Sequence, residues 1–107
     1  MKCYTLNHMK MSIRSIPKMA NFRDAVQICS TRNKSSELMS MDKLRYFQKQ
    51  NTPLVEKNKD VLFRINAIKF NNTWYKYSHK DLQKINLNNF DDFNIYQGMD
   101  GEWISFT

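Results

Sequence analysis

Apolar residues recur with a helical period between residues 22 and 47, and with a period of two between 61 and 77. Phe22, Ala25, Val26 and Cys29 share one helical face, and Asn21 stands where a side-chain cap is needed. Asp24 adds a carboxylate at the positive end of the helix dipole. These signals predict a helix over about 22–31, ended by the polar run Ser30-Thr31-Arg32-Asn33-Lys34. A second helix is expected over 36–50, capped by Ser35 or Ser36. Leu38, Met41, Leu44 and Phe47 line its core side, and Lys43, Arg45, Gln48 and Lys49 lie away from it. Asn51-Thr52-Pro53 stops it, because proline cannot continue a helix and biases its predecessor to extended geometry. Leu54 to Asp60 reads as a charged connector.

The pattern then changes to that of a hairpin. Val61 to Phe70 and Thr73 to Tyr77 are rich in β-branched and aromatic residues. The Asn71-Asn72 pair between them can supply the two positive φ angles of a type I′ turn. A two-residue loop sets Phe70 opposite Thr73, Ile68 opposite Tyr75 and Asn66 opposite Tyr77, with Lys69 facing Trp74 on the other side. The Ile68, Phe70, Tyr75 and Tyr77 face is expected to enter the core, leaving Lys69, Trp74 and Lys76 outward.

Ser78-His79-Lys80-Asp81 resembles a capping box and predicts a short helix through Leu82 and Ile85, ending at Asn86. Leu87, Phe90 and Phe93 return the chain to the core. Phe93–Gln97 and Glu102–Phe106 predict a second hairpin around Gly98-Met99-Asp100-Gly101, with Phe93, Ile95, Ile104 and Phe106 inward. Residues 1–20 are the least patterned: Cys3-Tyr4-Thr5-Leu6 suits a short strand, and Met9, Met11 and Ile13 alternate weakly before Pro17. This stretch reads as an irregular arm or edge strand. The expected class is α+β: an N-terminal helical hairpin packed on a mainly antiparallel sheet of about four strands, in two hairpins joined by a short helix.

A length of 107 residues suits one small domain over 1–107 with a core of its own, and no internal repeat divides it. The net charge of +7 is uneven. Residues 1–59 hold 12 Lys/Arg against 4 Asp/Glu, and residues 60–107 hold 5 against 6. A basic face of this kind attracts phosphate or acidic protein surfaces, although solubility and AT-rich codon usage explain part of it. Cys3 and Cys29 occur without a secretory signal pattern, which predicts two free thiols in a reducing cytoplasm. No stretch is long and apolar enough to cross a membrane.

Candidate chemistry is sparse. Trp74 with Lys69 and Lys76 suits base stacking plus phosphate neutralisation, but a cross-strand pair that only stabilises the hairpin is the preferred account. The two predicted helices could form a helix-turn-helix; an ordinary helical hairpin fits the glycine-free connection better. Lys43, Arg45 and Lys49 could still hold phosphate. Met99 and Trp103, at the acidic tip of the second hairpin, suit a protein interface about as well as a plain turn. His79 is a weak general acid/base candidate, with no second group at a telling distance. Cys3, His8 and Cys29 lack metal-ligand spacing, so no metal is expected. Phosphate-cradling and dinucleotide glycine motifs are absent, so no cofactor is expected.

The leading expectation is therefore a non-catalytic binding protein, a small inhibitor, regulator or adaptor of the phage or mobile-element kind, acting on a protein or nucleoprotein. The alternative is direct RNA or DNA binding by the basic N-terminal half and the Trp74 patch. A small ribonuclease centred on His79 comes third. No membrane partner and no small-molecule cofactor is expected.

Overall fold

The computed structural model describes residues 1–7, 10–16, 20–32, 35–50, 61–78, 80–90, 93–97 and 102–106. Strands β1 (Lys2–Asn7) and β2 (Lys10–Ser15) pair antiparallel and precede helix α1 (Phe22–Arg32). Strand β3 (Ser36–Leu38) follows, then helix α2 (Met41–Lys49), β4 (Val61–Arg64), β5 (Ile68–Phe70), β6 (Thr73–Ser78) and β7 (Asp81–Ile85). A 3-10 turn over Leu87–Phe90 leads to β8 (Asn94–Gln97) and β9 (Glu102–Phe106). The strands form three antiparallel three-stranded sheets, ordered β2-β1-β3, β4-β9-β8 and β5-β6-β7.

The expected N-terminal helical hairpin is not present. Of the two expectations for the N-terminal stretch, arm or edge strand, the described residues form paired strands, with β2 at the sheet edge, and β3 separates the two helices. Ser36, Glu37 and Leu38 pair with Thr5, Tyr4 and Cys3, because the open edge of β1 needs backbone partners that a helix would withhold. Leu38 and Met41 are three residues apart, which mimics a helical stripe across a strand–helix boundary. α2 starts only after Ser40, whose backbone is extended at φ −101° and ψ 165°. The Ser40 hydroxyl bonds the Asp42 carboxylate at 2.6 Å instead of capping a backbone N–H. α1 matches expectation: the Asn21 side chain accepts the Asp24 N–H at 2.8 Å, and Phe22, Ala25 and Cys29 are buried.

β1 lies between two cores because its side chains alternate. Cys3 packs with Ala25, Cys29 and Leu38 under α1. Its neighbour Tyr4 packs on the other side with Met41, Leu44, Phe47, Phe63, Ile65 and Phe93. Cys3 and Cys29 are not free thiols. They form a disulfide with Cα atoms 5.5 Å apart that fastens α1 to β1. The expected charged connector and helix stop at 51–60 lie outside the described residues.

The sheet of about four strands, built as two hairpins, is also overturned. The predicted strand Val61–Phe70 breaks at Ile65-Asn66-Ala67, so β4 pairs with β9 while β5 pairs with β6 in another sheet. Beyond the break the predicted register holds: Phe70 faces Thr73, Ile68 faces Tyr75 and Lys69 faces Trp74. Asn71 and Asn72 have φ of 49° and 64°, as a type I′ turn requires. The predicted helix at 78–86 is strand β7, which satisfies the second edge of β6. Ser78 pairs with Asp81, Lys80 takes φ 67°, and Leu82 and Ile85 fall on opposite faces, against Tyr77 and Trp74. The β8–β9 hairpin follows expectation, with Ile95 opposite Ile104. Phe93 is buried, and Ile95 packs against the core.

Candidate functional site: a sheet outside the cores and the groove beside it

The β5-β6-β7 sheet lies beside α1, β3 and α2, but none of its side chains joins either core cluster. Asn66 fastens it. The buried Asn66 carboxamide accepts the Tyr77 N–H at 2.8 Å and donates to the Tyr77 carbonyl at 2.8 Å, while its backbone N–H donates to Met39 O at 2.7 Å. The side chain thus replaces the rung that a continuous strand would have formed, and the chain is free to leave one sheet for the next.

One face of this sheet was expected in the core and is not there. Phe70 is 64 % exposed and Leu82 49 % exposed, and both lie on the face that carries Ile68, Tyr75 and Tyr77, each half-buried. The β-hairpin pattern correctly grouped these residues. It could not show that β4, rather than β5, packs beside α2, because period-two alternation does not say which of two faces is covered. Lys84, paired with Tyr75, shares this face, and Lys80 lines a hollow beside Tyr77.

The opposite face carries Lys69, Trp74 and Lys76 together, as expected, but it does not turn all three outward, because this is the face that lies beside α2. Lys69 is exposed, whereas Trp74 and Lys76 are half-buried. The Lys69 ammonium stands 5.8 Å from the Trp74 ring centre, and Trp74 is half-buried. Lys76 turns towards α2, where its ammonium lies 4.0 Å from Asp42. Lys76 and Asp42 border one cavity of about 370 Å³ that also contains Tyr4, Glu37, Ser40 and Lys43. Asp42 lines a further hollow of about 660 Å³ with Arg45, Tyr46, Lys49, Asn89 and Phe90. A smaller space of about 250 Å³, bordered by Asp42, Lys76, Ile85 and Phe90, joins the two. Lys43, Arg45 and Lys49 of α2 and Lys76 of the sequence-distant β6 therefore line one groove between α2 and the β6 face.

Both acids of the groove are engaged. Tyr4 donates to Glu37 at 2.7 Å, and burial is the first cause that raises the Tyr4 hydroxyl above its usual pKa, followed by this bond and by the charges of Glu37 and Asp42. Asp42 receives Ser40 and faces Lys76. The Arg45 guanidinium stacks 4.6 Å from the Phe90 ring centre, and Lys43 lies 5.8 Å from that of Tyr4. The sequence reading did not single out Tyr4, Tyr46 or Phe90 as site residues; their only signal was aromatic character near basic residues.

Other candidates fall elsewhere. Trp103 is in β9, with its backbone paired to Arg64 and Tyr96, and its side chain is outside the described ones. Met99, His79 and His8 lie outside the described residues. Cys3 and Cys29 hold each other, so neither is a thiolate available to a metal. Among the described residues no His/Cys/Asp/Glu group has metal-binding geometry, and no helix is long and apolar enough to cross a membrane. No family model, curated protein or solved structure matches the chain.

Proposed function

We propose that the protein is a non-catalytic binding protein that docks a partner protein on the Ile68, Phe70, Tyr75, Tyr77 and Leu82 face. The observation that supports this reading is the Phe70 ring, 64 % exposed at the tip of a sheet that packs into neither core. Large exposed rings on a sheet face are a recurring feature of interaction sites. Lys84 and Lys80 border the face and the chain carries +7 overall. Such charge opposes a second copy and favours a partner with an apolar centre and an acidic rim. That chemistry suits a small regulator or inhibitor. The cytoplasm belongs to this reading only if the Cys3–Cys29 bond persists there; burial of both sulfurs would shield it from thiol exchange.

A photo-crosslinker placed at position 70 identifies the partner, and the complex is then rebuilt from pure proteins. The expected result is a one-to-one complex that Phe70→Asp weakens at least tenfold. Sedimentation showing a Phe70-dependent homodimer would overturn the reading, as would a rebuilt complex indifferent to Phe70→Asp.

A further inference from the structure

Independently of that face, we infer that the groove between α2 and the β6 face is a binding site for single-stranded nucleic acid. Three features converge on it. First, Lys43, Arg45, Lys49 and Lys76 line it, while Glu37 and Asp42 are already bonded to Tyr4, Ser40 and Lys76. The groove keeps a positive excess, and each cation that meets a phosphate releases a condensed counterion. Second, aromatic rings are interleaved with those cations. Tyr46 is 41 % exposed on α2, and Phe90 forms the facing wall under Arg45. Third, the surface runs on past the groove. Ile85 lines the central hollow and pairs with Trp74, which stands beside Lys69, so ring and cation alternate again along the sheet.

Alternating rings and cations match an unpaired strand, in which phosphates and base faces are offered together. A duplex keeps its base faces stacked inside and offers nothing to Trp74 or Tyr46. Polar side chains along the floor, Ser40, Asn86 and Asn89, supply donors and acceptors for base edges or a ribose hydroxyl. The site lies across the sheet from Phe70. A protein partner and a nucleic-acid strand could therefore be held on opposite faces of the same three strands.

The test is fluorescence anisotropy of the whole protein with labelled 20-nucleotide RNA and DNA strands, the matching duplexes, and heparin as a base-free polyanion, over a salt series. Single strands are expected to bind more tightly than duplex, with the RNA and DNA arms showing which sugar is preferred. Lys43→Gln with Lys49→Gln should reduce the salt slope by about 0.7 per lost phosphate contact. Trp74→Leu should weaken strand binding by roughly 5- to 150-fold at constant salt and leave the slope unchanged. Arg23→Gln, which removes an exposed charge on α1 beyond the groove, should change neither. Equal binding of duplex and single strand, full competition by heparin with no effect of Trp74→Leu, or a slope loss with Arg23→Gln equal to that of the Lys43/Lys49 pair would each overturn the site. Thermal melts of every variant separate lost binding from lost folding.

Discussion

The Asn66 side chain binds the Tyr77 peptide through both its N–H and its carbonyl, each at 2.8 Å, at the point where β4 has ended and β5 has not begun. Its Nδ2 also reaches Leu38 O at 3.4 Å, so one carboxamide ties two sheets together. Asn66→Ala leaves the Tyr77 N–H and carbonyl without this partner, and unmade bonds at such a site cost about 1–3 kcal/mol each. A loss of about 2–3 kcal/mol in denaturant unfolding is expected. Amide exchange should speed up first across β6 and β7. Exchange that accelerates evenly over the whole chain would contradict the fastening role.

The disulfide closes a 26-residue separation between β1 and α1. Chain-entropy arguments assign a loop of that length about 3.5 kcal/mol. Cys29→Ala should lower unfolding stability by about that amount and raise sensitivity to heat. Intact mass of the wild-type protein under non-reducing conditions should fall about 2 Da below the reduced mass, and failure to see that difference would remove the bond from this account.

Tyr4 gives a pH dependence with a definite sign. Its hydroxyl is raised above the usual value of 10.0 by burial and by the Glu37 bond, so its contribution is fully present below pH 10.0 and is lost as pH rises towards the folded pKa. Tyr4→Phe should cost about 1–2 kcal/mol near neutral pH. The gap between the two proteins should narrow above pH 10.0. Ultraviolet titration should show one tyrosinate forming late in the wild type and missing from the variant.

The Asn71-Asn72 turn tolerates positive φ at both positions, but only glycine does so without steric cost. Asn72→Gly should therefore raise stability by about 0.5 kcal/mol, whereas Asn72→Val should lower it by about 1–2 kcal/mol, since a β-branched side chain strains the left-handed region. Paired thermal melts distinguish these outcomes.

Phe70 offers a contrast with the core. Because it is 64 % exposed, Phe70→Asp should change stability by no more than about 0.5 kcal/mol while improving solubility. Leu44→Ala, at 0 % exposure, should cost about 2–5 kcal/mol. Equal losses at the two positions in chemical denaturation would place Phe70 in the core after all.

Local chemistry decided much of this protein from its sequence. The Asn21 cap and the Phe22, Ala25, Cys29 face specify α1, because every interaction involved lies within a few turns of chain. The Asn71-Asn72 turn specifies the β5–β6 register for the same reason, and the alternation around 98–101 specifies the pairing of β8 with β9. Lys69, Trp74 and Lys76 were correctly placed together on one side of their sheet. Tertiary structure decided what local pattern leaves degenerate. Ser36–Leu38 became a strand because the distant β1 offered an edge, and Asp81–Ile85 did so because the adjacent β6 offered one; in both, backbone hydrogen bonds to a neighbouring strand outweighed good local helix signals. The hairpin's apolar face stayed out of both cores because Asn66 redirects the chain after β4. Lys76 met Lys43, Arg45 and Lys49 only because that redirection brings β6 alongside α2. Periodicity states which side chains share a face, and long-range packing alone states what that face meets.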